Sequence, residues 1–307
     1  MGKSKHKGKS EYKRDWSKYD ENVITRYELM FPFYVFQHWW DLLAEENRNA
    51  KKTYKAPKEF NDFLAFLHLF LPYRAIEGVL RALERLKIIP TSLDYSTIWE
   101  RVRNMNIKFP EANDELEVIA DATGISTTRG GQYVIAKWGK RRDSKFLKIE
   151  IVMDKDQFNV INAEVTSNEI ETAVKTVKDL QDKGKEVKKF YGDKAYDANE
   201  VYKTGVEVVV PPRENASTRR GHPARRKTVR EFKELGYDRW REEKGYGVRW
   251  RVESLFSAVK RTFGESVRAT SFLGQVVEAK LKFWAYAWMM YMANLVVGRA
   301  KGFEVKK

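Results

Sequence analysis

The 307-residue sequence contains no cysteine. That absence excludes a disulfide scaffold, a Cys-ligated zinc site, an iron–sulfur cluster and a thiol nucleophile, and it fits a reducing cytosol. Histidine is almost as scarce. His6, His38, His68 and His222 are scattered, and none has the spacing of a zinc ligand pair. His38 and His68 lie within helical patterns and read as packing or surface residues. No glycine-rich phosphate loop is present, so no nucleotide cofactor is implied. The longest stretch without a charge, Phe283 to Gly298, has 16 residues between Lys282 and Arg299. A membrane helix needs about 18 or more, so a buried core helix is expected and no membrane partner. The basic start, Met1-Gly2-Lys3-Ser4-Lys5, is not followed by an apolar region, so no secretory leader is expected. A cytoplasmic, nucleoid-associated location follows.

Acidic residues are also in deficit: 43 Asp and Glu face 58 Lys and Arg, a net charge of +15. Hydrophobic residues at 42 % and nine Trp suffice for a real core, which excludes a disordered chain. The excess charge is concentrated. Residues 1–18 carry a net +5, residues 137–148 another +5 and residues 213–230 a net +6, leaving the other 259 residues near −1. Such an uneven distribution is the electrostatic footprint of a polyanion-binding protein. Nucleic acid is the expected partner, since its phosphates supply sequence-independent affinity. Lys140, Arg141 and Arg142 in the second cluster, and Arg219, Arg220, Arg225 and Arg226 in the third, are the candidate DNA contacts.

From about Val23 to Asn106 the pattern is helical and rich in aromatics. Leu64, Leu67, Phe70 and Leu71 recur at helical spacing, as do Ile76, Val79, Leu80 and Leu83. Pro72 and Pro90 punctuate the helices, and Asp94 or Ser96 caps the next one. The aromatics Phe31, Phe33, Tyr34, Phe36, Trp39 and Trp40 read as helix–helix core in preference to a base-stacking surface. After Pro110 the texture changes to strands, expected at 117–121, 146–153, 158–165, 187–193 and 206–210. A helix bearing Ile170, Ala173, Val174, Val177 and Leu180 on one face precedes the fourth strand. Another, from about Ala198 to Lys203, precedes the fifth, and a long helix runs from about Gly247 to Thr262. The class is α/β.

Three acids stand where this order brings them together. Asp121 is expected to end the first strand and Asp193 the fourth, while Glu253 lies on the long helix. If strands one and four are parallel neighbours, both aspartates emerge at one sheet edge, beside a helix packed on that sheet. Clustered carboxylates repel one another unless hard cations neutralise them, and oxygen ligands favour Mg²⁺ or Mn²⁺. Two such ions, about 3.5–4 Å apart, support phosphodiester chemistry. The helix strengthens the case. At about 100° per residue, Tyr246, Arg249, Glu253 and Lys260 fall within an arc of about 60°. One face then presents a carboxylate flanked by two cations and a phenol, suited to bidentate (Arg) and point-charge (Lys) phosphate contacts.

The spacing Tyr246-(two)-Arg249-(three)-Glu253-(six)-Lys260 resembles the Tyr-Arg-Glu-Lys signature of insertion-sequence DDE transposases. The chain looks like the group allied to insertion-sequence families four and five. Supporting matches are Asp121-Ala122-Thr123-Gly124-Ile125, Gly192-Asp193-Lys194-Ala195-Tyr196-Asp197, Pro211-Pro212-Arg213-Glu214-Asn215-Ala216 and Arg251-Val252-Glu253-Ser254-Leu255-Phe256. The likeness is strongest over about 117–298 and weaker upstream, at Asp94-Tyr95-Ser96-Thr97-Ile98-Trp99-Glu100-Arg101.

The resemblance implies an RNase H-like mixed sheet flanked by helices, preceded by an all-helical N-terminal domain. It implies a basic arm at 1–22, a helical DNA-end-binding domain at 23–115, a catalytic domain at 116–300 with a basic insertion at about 213–245, and a tail at 301–307. It further implies that Asp121, Asp193 and Glu253 bind two divalent ions, with Tyr246, Arg249 and Lys260 near the terminal phosphates of the element. The expected reaction frees a 3′-hydroxyl at the element end and then joins it to target DNA. The expected partners are double-stranded DNA, as element ends and as target, and a second copy of the chain in a synaptic homodimer. Two alternatives share features of this pattern: an RNase H-like structure-specific nuclease, and a domesticated, non-catalytic DNA-binding protein.

Overall fold

A computed structural model describes residues 15–48, 50–127 and 146–296. Lys140, Arg141 and Arg142 therefore lie outside the described residues. Six helices come first: α1 (Trp16–Leu29), α2 (Phe33–Gln37), α3 (Trp39–Asn47), α4 (Phe60–Phe70), α5 (Tyr73–Arg85) and α6 (Tyr95–Arg103). Asp94 caps α6, accepting from the amides of Ser96 and Thr97 at 3.0 Å each and satisfying two donors that have no partner inside the helix. The aromatic-rich stretch divides. Trp39 is buried in the core, whereas Phe33, Tyr34 and Trp40 are exposed.

The strands follow: β1 (Glu115–Ser126), β2 (Phe146–Asp154) and β3 (Val160–Val165). Then α7 (Glu169–Asp182) leads to β4 (Glu186–Tyr191), and the short α8 (Asn199–Tyr202) leads to β5 (Glu207–Val209). Spatially the sheet runs β3-β2-β1-β4-β5. β2 is antiparallel to both β1 and β3, while β4 is parallel to both β1 and β5. Antiparallel strands at one side and helix-crossed parallel strands at the other give the mixed α/β sheet that the sequence led us to expect, consistent with an RNase H-like fold.

The faces of the sheet are covered unequally. Ala173, Val177 and Leu180 of α7 close one face over Val118, Ala120 and Val152. The other face carries Ile119, Ile149, Ile151 and Met153, and it is covered by the last two helices, α10 (Trp250–Phe263) and α11 (Phe272–Val296). This second core is continuous with that of the N-terminal helices. Trp284 and Trp288 of α11 both donate their indole N–H to the carbonyl of Lys108, at 3.1 Å each, which fastens the connecting segment to the helix over the sheet. Among the described residues no helix is long and apolar enough to cross a membrane.

The structure revises three local expectations. Asp121 does not end β1, which continues to Ser126; only the pairing with β4 stops before it. The basic segment after Pro212 contains a helix, α9 (Pro223–Glu243), opened by Pro223 at its first position and broken at Gly236 (φ +74°, ψ 168°), a left-handed conformation that glycine adopts without steric cost. Finally, Tyr246 and Arg249 do not share a regular α-helix with Glu253 and Lys260. They form a separate 3₁₀ turn, Tyr246–Arg249, immediately before α10.

Candidate active site

The sheet register places the two aspartates. The last parallel pair between β1 and β4 is Ile119 with Tyr191. Asp121 and Asp193 each stand two residues further on. Side chains two apart in a strand share a face, so the extension of this register sets both acids at the same end of adjacent strands, beyond the carboxyl end of β4. Asp121 pairs laterally with Ile151 of β2, and so faces the side covered by α10 and α11.

The third acid arrives on α10, whose inner stripe of Val252, Leu255, Phe256, Val259 and Phe263 is buried. Glu253 lies one residue off that stripe and is exposed at its margin. Both ends of the helix are tied to the strand it crosses. After α10, the Ser126 amide of β1 donates to the Glu265 carbonyl at 2.9 Å, and the Val267 amide returns a bond to the Ser126 carbonyl at 2.9 Å. The buried Lys282 ammonium braces the same loop through the carbonyls of Gly264 (2.9 Å) and Ser266 (2.7 Å). Before α10, Arg249 reaches back to the strand.

Arg249 is the hub of the site. Its Nη1 donates to Asp121 Oδ2 at 2.8 Å and its Nη2 to Glu253 Oε1 at 2.6 Å. Burial raises the pKa of Asp121, and the neighbouring charges of Asp193 and Glu253 push the same way. The Ala122 amide, donating to Oδ1 at 2.8 Å, and the Arg249 charge oppose them. Burial disfavours the charge on Arg249, but Asp121, Tyr246 and Glu253 outweigh it and raise the pKa overall. Tyr246 is buried, and burial pushes its phenol up to about 12. Its ring lies 5.4 Å from that of the fully buried Trp240 of α9, so the helix within the basic segment supports the 3₁₀ turn that carries Arg249. Lys260 lies in the last turn of α10, roughly 10 Å from Glu253 along the helix.

The turn after β4 is braced from several sides. Asp193 caps a 3₁₀ turn over Lys194–Tyr196, accepting from the Ala195 amide at 2.8 Å. Arg213 donates to the carbonyls of Lys194 (3.3 Å) and Ala195 (2.9 Å). Asp197, wholly buried, accepts from both ends of the Arg225 fork (2.6 and 2.7 Å) and from the Arg213 amide (2.9 Å). Arg225, read from the sequence as a DNA contact, is thus tied into the scaffold. Arg219 and Arg220 are exposed, in a turn closed by the Ser217 hydroxyl, and Arg226 is half-buried. Three contributors escaped the sequence reading: Arg213, Trp240 and Tyr196. The available signal was local for two of them. Tyr196 stands within the motif that supplied Asp193, and Arg213 follows Pro211-Pro212 at the end of β5.

The donor set is chemically suited to a hard divalent cation, being three carboxylates at one end of a sheet. Among the described residues, no group of three such side chains closes into a metal cage. Positive charge between Asp121 and Glu253 is supplied instead by the Arg249 guanidinium. Fit to a cation therefore requires that Arg249 give up at least one carboxylate. Residues 112–288, more than half of the chain, match the model of a family described as transposase DDE domain, and residues 31–129 match a second model of the same description.

Proposed function

The chain belongs to the transposase DDE domain family, and from that premise we propose that it cleaves DNA at the ends of an insertion sequence and transfers the freed strand to a target. The observation that carries this reading is the bridging of Asp121 and Glu253 by Arg249, with Asp193 beyond the end of the neighbouring parallel strand β4. In this reading, Asp121 and Asp193 hold a divalent cation on the sheet, and Glu253 completes the set from α10. Bound divalent ions supply Lewis-acid activation of the attacking hydroxyl and neutralise charge that develops on the phosphodiester.

The chain's own residues do the rest. Arg249, released from a carboxylate, presents a planar fork matched to two phosphate oxygens. Lys260, two turns along α10, offers a point charge to the next stretch of backbone. Tyr246 keeps its proton at any working pH and so acts as a hydrogen-bond donor. Arg219 and Arg220 add sequence-independent affinity for the duplex. The element ends and the target are both double-stranded DNA, and pairing two ends calls for two copies of the chain.

The test is cleavage of a plasmid that carries the gene's native flanks, in Mg²⁺, Mn²⁺ or EDTA, with wild type beside Glu253→Gln. Metal-dependent cuts at the flank boundaries, lost in the variant, are expected. Cutting that ignores the flanks would replace this reading with a structure-specific nuclease. Binding without cutting in either metal would leave a DNA-binding protein.

A further inference from the structure

A carboxylic acid lies buried beneath the site, on the opposite face of the sheet from Asp121. Glu150 of β2 is wholly inaccessible and sits opposite Ala122 in the β1–β2 register, under the first turns of α7. Its Oε1 meets the Tyr196 hydroxyl at 3.3 Å. Its Oε2 has no hydrogen-bond partner among the described residues; the nearby Thr172 hydroxyl donates to the Asn168 carbonyl at 3.2 Å. Burial favours the neutral acid, with a pKa raised to about 8. An apolar residue would fill this space without that desolvation. What the acid adds is direction, because it fixes the end of one particular side chain.

That side chain controls the turn bearing Asp193. Tyr196 is buried, its amide donates to the Asp193 carbonyl at 3.0 Å, and its ring meets Phe190 edge-on at 5.7 Å. The ring also lies flush against the backbone just before Asp193. A Cβ placed on Gly192 would come within 2.7 Å of Tyr196 Cδ2 and 3.0 Å of Cγ, so residue 192 must lack a side chain. The turn is therefore gripped between β4 and the Tyr196 ring, and the ring is pinned at its far end by Glu150.

We propose that Glu150 is a positioning residue: through the Tyr196 hydroxyl and ring it sets the backbone of Gly192-Asp193, and so the aim of the Asp193 carboxylate at its cation. The proposal rests on the reading of Asp193 given above. Residues that orient a ligand from behind typically change metal affinity by about 10- to 100-fold when removed.

The experiment measures Mn²⁺ affinity by calorimetry, without DNA, alongside thermal unfolding, on the full chain. The variants are Glu150→Leu, Glu150→Gln, Tyr196→Phe and Asp193→Asn. Tyr196→Phe, which removes one oxygen, and Glu150→Leu should each weaken Mn²⁺ binding by about 10-fold or more while the chain stays fully folded at the temperature of the titration. Glu150→Gln keeps a carbonyl acceptor for Tyr196 and should stay within about threefold of wild type, below that range. Should Glu150→Leu fail to fold, Tyr196→Phe alone decides. Wild-type affinity in Tyr196→Phe, with binding lost in Asp193→Asn, would overturn this proposal and leave the site reading standing. Wild-type affinity in Asp193→Asn would overturn the site reading, and this proposal with it.

Discussion

Arg225→Ala separates a structural role for the basic segment from a DNA-binding one. In the native protein the Asp197 carboxylate is inaccessible and takes three donors: Nε and Nη2 of Arg225, at 2.6 and 2.7 Å, and the Arg213 amide at 2.9 Å. Truncating Arg225 leaves a buried charge with a single backbone donor. Breaking a buried pair from one side costs about 3–5 kcal/mol, because the remaining charge is uncompensated. Arg225→Lys keeps the charge but not the fork, and should cost about 1–3 kcal/mol for the lost charge-assisted bond. The double variant Asp197→Leu/Arg225→Met removes both charges together and should lie within about 1 kcal/mol of wild type. Urea unfolding followed by tryptophan fluorescence reads these differences; at a slope near 3 kcal/mol/M, Arg225→Ala moves the midpoint by roughly 1 M or more. If Arg225→Ala instead unfolds like wild type while its DNA affinity and salt dependence fall, Arg225 contacts phosphate and the structural argument fails.

Three further outcomes follow from the same geometry. Burial raises Glu150 from 4.5 to about 8, so the folded chain holds a proton that the unfolded chain releases. Stability from this group is complete below the lower value and is lost as pH rises toward the upper one, by about 3 kcal/mol between pH 5 and 8. Thermal unfolding of Glu150→Gln should lack that slope, and parallel curves for variant and wild type would refute it. Arg219→Ala/Arg220→Ala, at two exposed positions, should leave the unfolding temperature unchanged and reduce the slope of log affinity against log salt by about 1.8; an unchanged slope removes both residues from the interface. Arg249→Gln should destabilise the metal-free protein, because the half-buried Asp121 loses its counter-charge, and added Mn²⁺ should raise its unfolding temperature more than it raises that of wild type. Equal metal-induced shifts would show that Arg249 and the cation do not compete.

The legible parts of the fold were those where periodicity coincides with burial. Ala173, Val177 and Leu180 mark the inner face of α7 because that face alone is covered, and the start of β2, Phe146 to Ile149, alternates between exposed and buried positions. The parallel placement of β1 beside β4, on which the pairing of Asp121 with Asp193 depends, was accessible through strand order and the intervening helix. The region 213–245 was not. Only Val229 and Trp240 of α9 are buried, so the helix carries almost no apolar stripe, and its charge reads as a solvated loop. The partner of Arg225 was hidden for a related reason. Sequence assigns a charge to a segment, whereas its partner, Asp197, comes from a motif 28 residues earlier. Glu150 was invisible because an acid in an alternating strand reads as solvent-facing; here the α7 side of β2 is covered as well, and only the tertiary packing shows it.

Tyr246, Arg249, Glu253 and Lys260 would share one face if the helix were continuous, and the break after Arg249 bears on how the site works. A 3₁₀ turn followed by an α-helix leaves Arg249 at a junction, with Trp240 holding the Tyr246 side of that junction from α9. Glu253 rides on a helix stitched to β1 through Ser126 and Lys282. Asp121 and Glu253 are therefore attached to the sheet and to the helix, while the guanidinium that bridges them is attached to the short turn. For the proposed reaction, in which a divalent cation would displace the guanidinium, this is the productive division. In that reaction the acids would keep their positions and the guanidinium would be the group to leave. Repulsion among Asp121, Asp193 and Glu253 is balanced by Arg249 before metal binds. Were Asp121, Asp193 and Glu253 to hold a divalent cation, that ion would supply the compensating charge and the Arg249 fork would be free for a phosphate. In that reading one side chain would stabilise the empty site and recognise the substrate in the filled one, which gives a physical reason for an arginine four residues before the glutamate.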